Sequence, residues 1–194
     1  MIGALTPGFA EPVGGAQSCF RQVLDAMARP GRVYTVGAVA APAPLSDAAA
    51  AVVLTLMDHE TPLWLDPEAE AARGWIAFHT GAPITGDPAK SMFALALTHY
   101  AMTIWHRLPF GTDEAPQTSA TVILHVASLT TGRAFVLEGP GLRSPATLTV
   151  DGLPGDFAAV WQRNHALYPC GIDLILCAGN QLAALPRSVA VREG

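Results

Sequence analysis

A strand predicted over residues 172–178 constrains this fold more than any other segment of the sequence. Pro169 and Gly171 turn the chain before it, and Gly179 ends it. Between these turns every residue except Asp173 is apolar. An uninterrupted apolar run of this length indicates a strand buried on both faces, which is typical of a parallel sheet covered by helices.

Further strands and helices alternate along the chain, which predicts the α/β class. We expect a three-layer α/β/α arrangement with helices on both faces of a mixed sheet. The other predicted strands are 31–36, 61–65, 75–79, 92–97, 121–127, 134–137, 147–150 and an edge strand at 188–191. The predicted helices are 19–28, 48–57, 100–107 and 156–167.

Two of these helices have clear local signals. Phe20, Val23, Leu24 and Met27 recur at helical spacing and predict an amphipathic helix. Ser46 is in position to cap the helix that follows it.

Composition limits the function classes. The 194 residues are 51% hydrophobic and 14% charged, with a net charge of −5. Low charge content favours an oligomer or a complex subunit, and we expect a homodimer when the chain is isolated. The acidic balance argues against nucleic-acid and anionic-membrane partners.

The three cysteines are an odd number without CxxC spacing, which predicts no disulfide framework and a reducing cytoplasm. The first ten residues lack a basic region, so no signal peptide is predicted. No apolar run is long enough to span a bilayer, and we expect a soluble protein. We interpret residues 1–194 as a single domain whose residues 1–16 form an extended N-terminal arm.

His79 and Thr80 are candidate binding residues, because the predicted strand 75–79 ends at His79 and Thr80 follows it, just before the turn at Gly81. Polar groups at the end of a strand are held rigidly and often carry function. The alternative is a structural hydrogen bond from His79 to loop backbone.

Two arginine positions are also candidates. Arg29 and Arg32 flank Pro30-Gly31 after the first helix and could grip a phosphate, or could simply stabilise the end of the helix dipole. Arg187 follows the rigid Pro186 and has the same two interpretations. Asp173 needs a partner inside its apolar strand, and a backbone donor or an arginine would make it structural.

Known catalytic motifs are absent from the sequence, including the phosphate-binding P-loop and H-E-x-x-H. Residues 139–141, Gly-Pro-Gly, are interpreted as a turn. No metal site is predicted: His99 and His106 could share a helix face but lack a nearby carboxylate, and residues 58–60 are interpreted as a solvated helix end.

Taken in order, several segments resemble one family, PhnH, a subunit of the bacterial carbon–phosphorus lyase complex. The similarity runs through Ala-Met-Ala-Arg-Pro-Gly at 26–31, Leu-Met-Asp-His-Glu-Thr-Pro-Leu-Trp-Leu at 56–65, Phe-His-Thr-Gly-Ala-Pro at 78–83, Gly-Pro-Gly-Leu at 139–142, Pro-Cys-Gly-Ile-Asp-Leu-Ile-Leu at 169–176 and Leu-Pro-Arg at 185–187.

The resemblance implies a cytoplasmic subunit that assembles with PhnG-, PhnI- and PhnJ-type proteins for alkylphosphonate use. In the first step that it implies, methylphosphonate replaces the adenine of ATP at ribose C1, giving α-D-ribose 1-methylphosphonate 5-triphosphate. The chemistry is expected on the PhnI-type subunit and the radical step on the PhnJ-type subunit. This chain would be an accessory and not catalytic alone.

The family's fold is similar to the large domain of pyridoxal-phosphate-dependent transferases without the cofactor. A Schiff base needs a lysine, and Lys90, the sole lysine, matches no family motif. We therefore expect no cofactor in this subunit. The alternative function is a phosphonate- or nucleotide-binding module with its own pocket near His79 and Arg187.

Overall fold

A computed structural model describes residues 6–98 and 100–194 of the chain. Its strands are β1 (Gly8–Phe9), β2 (Tyr34–Thr35), β3 (Val39–Ala40), β4 (Leu63–Leu65), β5 (Ile84–Thr85), β6 (Phe93–Ala96), β7 (Thr121–His125), β8 (Ser128–Glu138), β9 (Ala146–Asp151), β10 (Asp173–Ala178), β11 (Gln181–Leu185) and β12 (Ala190–Glu193). Its helices are α1 (Pro12–Ala28), α2 (Asp47–Leu56), α3 (Arg73–Thr80), α4 (Tyr100–Thr103) and α5 (Phe157–His165).

A seven-stranded mixed sheet forms the centre, in the order β2-β11-β10-β7-β6-β4-β5. The five strands from β10 to β5 are parallel, and β11 pairs antiparallel with both β10 and β2. The mixed sheet is confirmed; β10 has one parallel neighbour, β7, and one antiparallel neighbour, β11.

Side chains of the central strands alternate between two hydrophobic cores. Leu174 and Leu176 of β10 pack into one core, and Ile175 and Cys177 pack into the other. This period of two explains why β10 has no polar face. On the second core lie α1, α2 and α3, whose buried residues include the continuous run 48–53 of α2. Ser46 caps α2 by accepting the N–H of Ala49, as predicted.

The opposite face of the sheet differs from the expected helical layer. The first core contains α5 residues together with a three-stranded antiparallel sheet, β12-β8-β9. Predicted strands 134–137 and 147–150 belong to this second sheet and not to the central one, as does the second half of predicted strand 188–191, since β12 begins at Ala190. The outer layer is therefore part helix and part sheet, because long antiparallel strands buried on one face need an apolar partner just as a helix does.

The strand predicted over 75–79 is wrong, because these residues belong to α3. Trp75 and Ile76 are buried, whereas Phe78 is exposed, which is a helical pattern. A 3₁₀ turn at Pro67–Ala72 leads directly into the helix. Gly81 ends it in the left-handed conformation that glycine adopts without strain.

The N-terminal prediction is also corrected. Residues 1–5 of the expected arm lie outside the described part of the chain. Beyond them, β1 pairs antiparallel with β3, and α1 begins already at Pro12. Proline favours the first turn of a helix, since its missing N–H would be unpaired there in any case.

Strand β11 was not predicted, and the strand expected over 31–36 is reduced to Tyr34–Thr35. No helix among the described residues is long and apolar enough to cross a membrane.

Candidate functional site

His79 fastens the N-terminal segment to the body of the protein. Its Nε2 lies 2.9 Å from the backbone carbonyl oxygen of Thr6, and Trp75 Nε1 donates to the same oxygen at 2.9 Å. The His79 ring also packs against the rings of Trp75 and Phe78. This environment matches the structural alternative for His79, a hydrogen bond to loop backbone.

Thr80 completes the end of α3. Its hydroxyl donates to the Ile76 carbonyl at 2.8 Å and accepts the N–H of Ala82 at 3.0 Å. The hydroxyl thus connects the last turn of α3 to the chain just beyond Gly81.

Arg187 is the partner of Asp173. Its Nη2 and Nε donate to the two carboxylate oxygens at 2.6 and 3.2 Å, and its backbone N–H donates to Oδ1 at 2.8 Å. Its Nη1 donates to the Pro116 carbonyl at 2.7 Å. Both side chains are more than four-fifths buried. The prediction that Asp173 requires a backbone or arginine partner is confirmed.

The structure does not bring His79 and Arg187 together. Asp173, which holds Arg187, starts β10, whereas His79 precedes β5, four strands away in the sheet. Four steps of the strand spacing amount to about 19 Å.

Arg29 lies in a different setting, at the end of α1. Its guanidinium forms an ion pair with Asp25 one turn earlier. It also lines an open cleft of about 490 Å³ between residues 29–32 and residues 141–146, which run from the turn after β8 to the first residue of β9. Arg32 and Arg143 line the same cleft. Of the four predicted residues, Arg29 is the one that faces this cleft.

Two polar residues at the carboxyl ends of the parallel strands were missed. Asp66 follows β4, is fully buried, and accepts hydrogen bonds from Ala69, Leu97 and Thr98. His125 ends β7, and its Nδ1 is buried without a partner. Desolvation by burial lowers the pKa of His125 and favours its neutral form. The rule that polar residues after buried parallel strands gather at one edge could have identified both.

An apolar cleft of about 280 Å³ lies between α5 and residues 102–110. Trp105 lines it, and the Trp105 Nε1 is buried without a hydrogen-bond partner. Leu167 and Tyr168, just beyond α5, are exposed. No sequence signal distinguished this cleft from ordinary core packing.

The three thiols are poorly set for nucleophilic chemistry. Burial raises the pKa of both the Cys19 and the Cys177 thiols, and desolvation and the nearby Asp113 carboxylate raise that of Cys170. Thiolate is the reactive form, so raised values reduce reactivity.

Metal-ligand residues are dispersed. Within residues 6–98 and 100–194, no three His, Cys, Asp or Glu side chains are grouped to hold a metal ion. His99 of the considered His99–His106 pair lies outside the described residues, and His106 is exposed.

Helix α1 has a wider apolar arc than the core covers. Cys19, Val23 and Ala26 are its buried residues. Val13, Phe20 and Leu24 form a separate stripe, which we call the α1 stripe; these side chains are 81%, 46% and 52% exposed. The predicted stripe of Phe20, Val23, Leu24 and Met27 therefore spans both surfaces, and half of it faces solvent.

Comparison with known proteins gives consistent matches along the chain. The family described as "Bacterial phosphonate metabolism protein (PhnH)" matches residues 7–192. The α-D-ribose 1-methylphosphonate 5-triphosphate synthase subunit PhnH of Rhizobium meliloti (strain 1021) is 41% identical over 183 residues, covering 93% of this chain and 92% of the relative. HtxG of Stutzerimonas stutzeri, whose name refers to the C-P lyase, is 31% identical over 179 residues, covering 90% of this chain and 85% of the relative.

Proposed function

The chain belongs to the PhnH family of bacterial phosphonate metabolism proteins, and from this membership we propose that it is a non-autonomous subunit of the carbon–phosphorus lyase machinery. Its role is to support formation of α-D-ribose 1-methylphosphonate 5-triphosphate from ATP and methylphosphonate. The observation that carries this proposal is the 41% identity to a relative that bears the name of that synthase subunit, across nearly the whole length of both chains.

The partners we propose are PhnG-, PhnI- and PhnJ-type subunits in the cytoplasm, where ATP is available. In this assembly the bond between ribose C1 and adenine breaks, methylphosphonate oxygen bonds to C1, and adenine leaves. The reacting groups belong to the partner subunits, and this chain organises them. We further propose that the subunit carries no cofactor of its own and that its fold is similar to the large domain of pyridoxal-phosphate-dependent transferases.

The α1 stripe supports a docking role. Three large apolar side chains on one helix face are costly to leave in water, since each gains free energy when a partner covers it. Exposed apolar patches of this kind mark protein interaction sites more often than isolated apolar side chains do. We propose that a partner subunit covers the α1 stripe in the complex and that a second copy covers it in the isolated chain, giving a homodimer.

The direct test of the function is adenine release from ATP in the presence of methylphosphonate. We expect no release by this chain alone, none by the partner subunits alone, and full activity when they are combined. Turnover by the isolated chain would contradict the accessory role. Full activity of the partners without this chain would contradict its involvement.

Replacing Phe20 and Leu24 together by serine tests the α1 stripe. Because both side chains are exposed, we expect an unchanged melting temperature, but at least tenfold less partner protein recovered on affinity purification of the complex. The matched control is Phe78→Ser, which removes an aromatic side chain that is 67% exposed on α3. Equal recovery with the double variant and the wild type would place the docking surface elsewhere.

Lys90→Ala tests the absence of a pyridoxal-phosphate role. Lys90 is exposed in the 3₁₀ turn Pro88–Lys90 that precedes β6. We expect unchanged growth on methylphosphonate as the sole phosphorus source in a strain that depends on this chain. Loss of growth, with the variant still folded and assembled, would show that the lysine takes part in the chemistry.

A further inference from the structure

The cleft between the end of α1 and the β8–β9 turn concentrates positive charge on an acidic protein. Arg29 and Arg32 line one side, and Arg143 with the hydroxyl residue Ser144 lines the other. The chain has eleven lysine and arginine residues in all and a net charge of −5. Three of the eleven cations thus share one cleft, and none of the described residues that line it is acidic.

The backbone of this cleft is fixed by close contacts between its two sides. Gly141 has a φ of +85°, and a Cβ there would lie 2.2 Å from the Ala28 carbonyl oxygen. Gly31 has a φ of +87°, and a Cβ there would lie 3.2 Å from the Ala146 Cβ. Only glycine fits such positions without strain. The turn at 139–142 is closed by the Leu142 N–H, which donates to the Gly139 carbonyl at 3.2 Å. The arginines therefore lie on two segments, residues 29–32 and 141–146, whose backbones are in close contact.

Stabilisation of the α1 dipole does not account for all three arginines. That effect is confined to the end of a helix. Arg29 is the C-cap residue of α1, and Asp25 already neutralises its charge. Arg143 comes from a distant part of the chain. Neither Arg32 nor Arg143 forms an ion pair with any residue in the described ranges. Two guanidinium groups thus remain to bind an external anion.

We propose that this arginine cleft binds the polyphosphate group of a nucleoside or ribose 5-triphosphate. Guanidinium groups bind phosphate oxygens through paired hydrogen bonds, and a triphosphate chain can contact several of them at once. A volume of about 490 Å³ lies within the usual range of small-molecule sites, roughly 300–1,000 Å³. The ligand class rests on the proposed function, in which both ATP and the ribose product carry a 5-triphosphate.

The α1 stripe and the cleft are both carried by α1. Leu24, the last residue of the stripe, precedes Arg29, the first residue of the cleft, by about 7.5 Å along the helix axis, but on a different side of the helix. We infer that this subunit holds the triphosphate end of the substrate while partner residues act at ribose C1.

Calorimetric titration of the full chain, and of the assembled complex, with inorganic tripolyphosphate and with ATP tests this proposal. We expect both to bind, AMP to bind at least tenfold more weakly, and affinity to fall as salt is raised. Arg32→Ala combined with Arg143→Ala should weaken tripolyphosphate binding at least tenfold. The matched control is Arg21→Ala, which removes an exposed arginine of α1 that lies outside the cleft.

Two results would overturn the proposal: binding that is the same in the double variant as in the wild type, or no tripolyphosphate binding by either the chain or the complex. The corresponding double lysine variant should recover part of the affinity, because lysine keeps the charge but loses the planar fork.

Failure of this inference is distinguishable from failure of the proposed function. If the wild-type chain supports adenine release with its partners but binds no tripolyphosphate, the subunit role stands and the cleft has no such ligand. If the cleft binds tripolyphosphate but the chain does not affect adenine release, the site stands and the synthase role is wrong.

Discussion

Asp66→Ala should lower the free energy of unfolding by about 4 kcal/mol, because each buried N–H left without an acceptor costs roughly 1–3 kcal/mol. The Asp66 side chain is fully buried. Its Oδ1 accepts the Ala69 N–H at 2.7 Å, and its Oδ2 accepts the Leu97 N–H at 2.8 Å and the Thr98 N–H at 3.3 Å. The carboxylate therefore joins the chain after β4 to the chain after β6. Denaturant unfolding followed by circular dichroism measures the change.

Asp87 provides the matched control for Asp66. Both aspartates precede a proline, and both cap a 3₁₀ turn, since Asp87 Oδ1 accepts the Ala89 N–H at 3.2 Å. Asp87, however, is partly exposed, so water can replace the lost bond. We expect Asp87→Ala to cost about 1 kcal/mol or less. Equal costs for the two variants would mean that the additional bonds of Asp66 contribute nothing.

Arg187→Ala should cost about 3 kcal/mol, since breaking a largely buried ion pair leaves an uncompensated charge behind. The variant leaves Asp173 with the Arg187 backbone N–H but without its two guanidinium donors, and it leaves the Pro116 carbonyl with the Ser119 N–H as its remaining donor. Arg187→Lys should recover less than half of the loss, because a single ammonium cannot reproduce three guanidinium bonds. Unfolding curves in denaturant give both values.

Arg192→Ala is the control for Arg187. Arg192 bonds Glu138 at 2.8 Å, but both side chains are at least half exposed. Exposed pairs contribute about 0–1 kcal/mol. If the Arg187 and Arg192 variants lost equal stability, the burial of the Asp173 pair would have no energetic consequence. A double-mutant cycle with Asp173→Ala then isolates the coupling between the two side chains.

Strands with both faces buried, and helices with a clear cap, could be predicted from local sequence. β10 is apolar throughout because both of its faces meet a core, and α2 begins where Ser46 can cap it. The segment 75–79 was misassigned because a continuous apolar run has no period that separates strand from helix. Strand β11 was missed because its short, alanine-containing segment is defined by pairing with β10, which is a tertiary property.

Contacts at the candidate site could be predicted only where a residue cannot be buried without a hydrogen-bonding or charged partner. An isolated carboxylate in an apolar strand is too costly to exist, so Asp173 required a donor, and Arg187 supplies it. Whether His79 lies beside Arg187 depends on strand order, and β6 lies between β7 and β4 although it follows β5 in the chain. Such an order is fixed by packing of the whole sheet. The arginine cleft likewise joins residues more than one hundred positions apart.

Periodicity also could not say which apolar face of α1 the protein itself uses. Phe20, Val23, Leu24 and Met27 satisfy the helical pattern, yet the core takes Cys19, Val23 and Ala26. A helix whose apolar arc is only partly covered by the hydrophobic core has the same sequence pattern as a helix whose whole apolar arc is buried. Only the placement of α1 against α2 and β11 separates the two surfaces.

The exposed part of the apolar arc of α1 limits how much of this protein can accumulate in a bacterial cell. Copies made in excess of the partner subunits would leave the apolar side chains of α1 exposed to solvent. Chaperones bind such molecules and quality-control proteases degrade them. We expect its cellular abundance to follow the supply of the other gene products, so that a strain producing this polypeptide alone accumulates little of it. Synthesis of this chain and its partner subunits in matched amounts, from neighbouring reading frames, would limit the loss of unassembled copies.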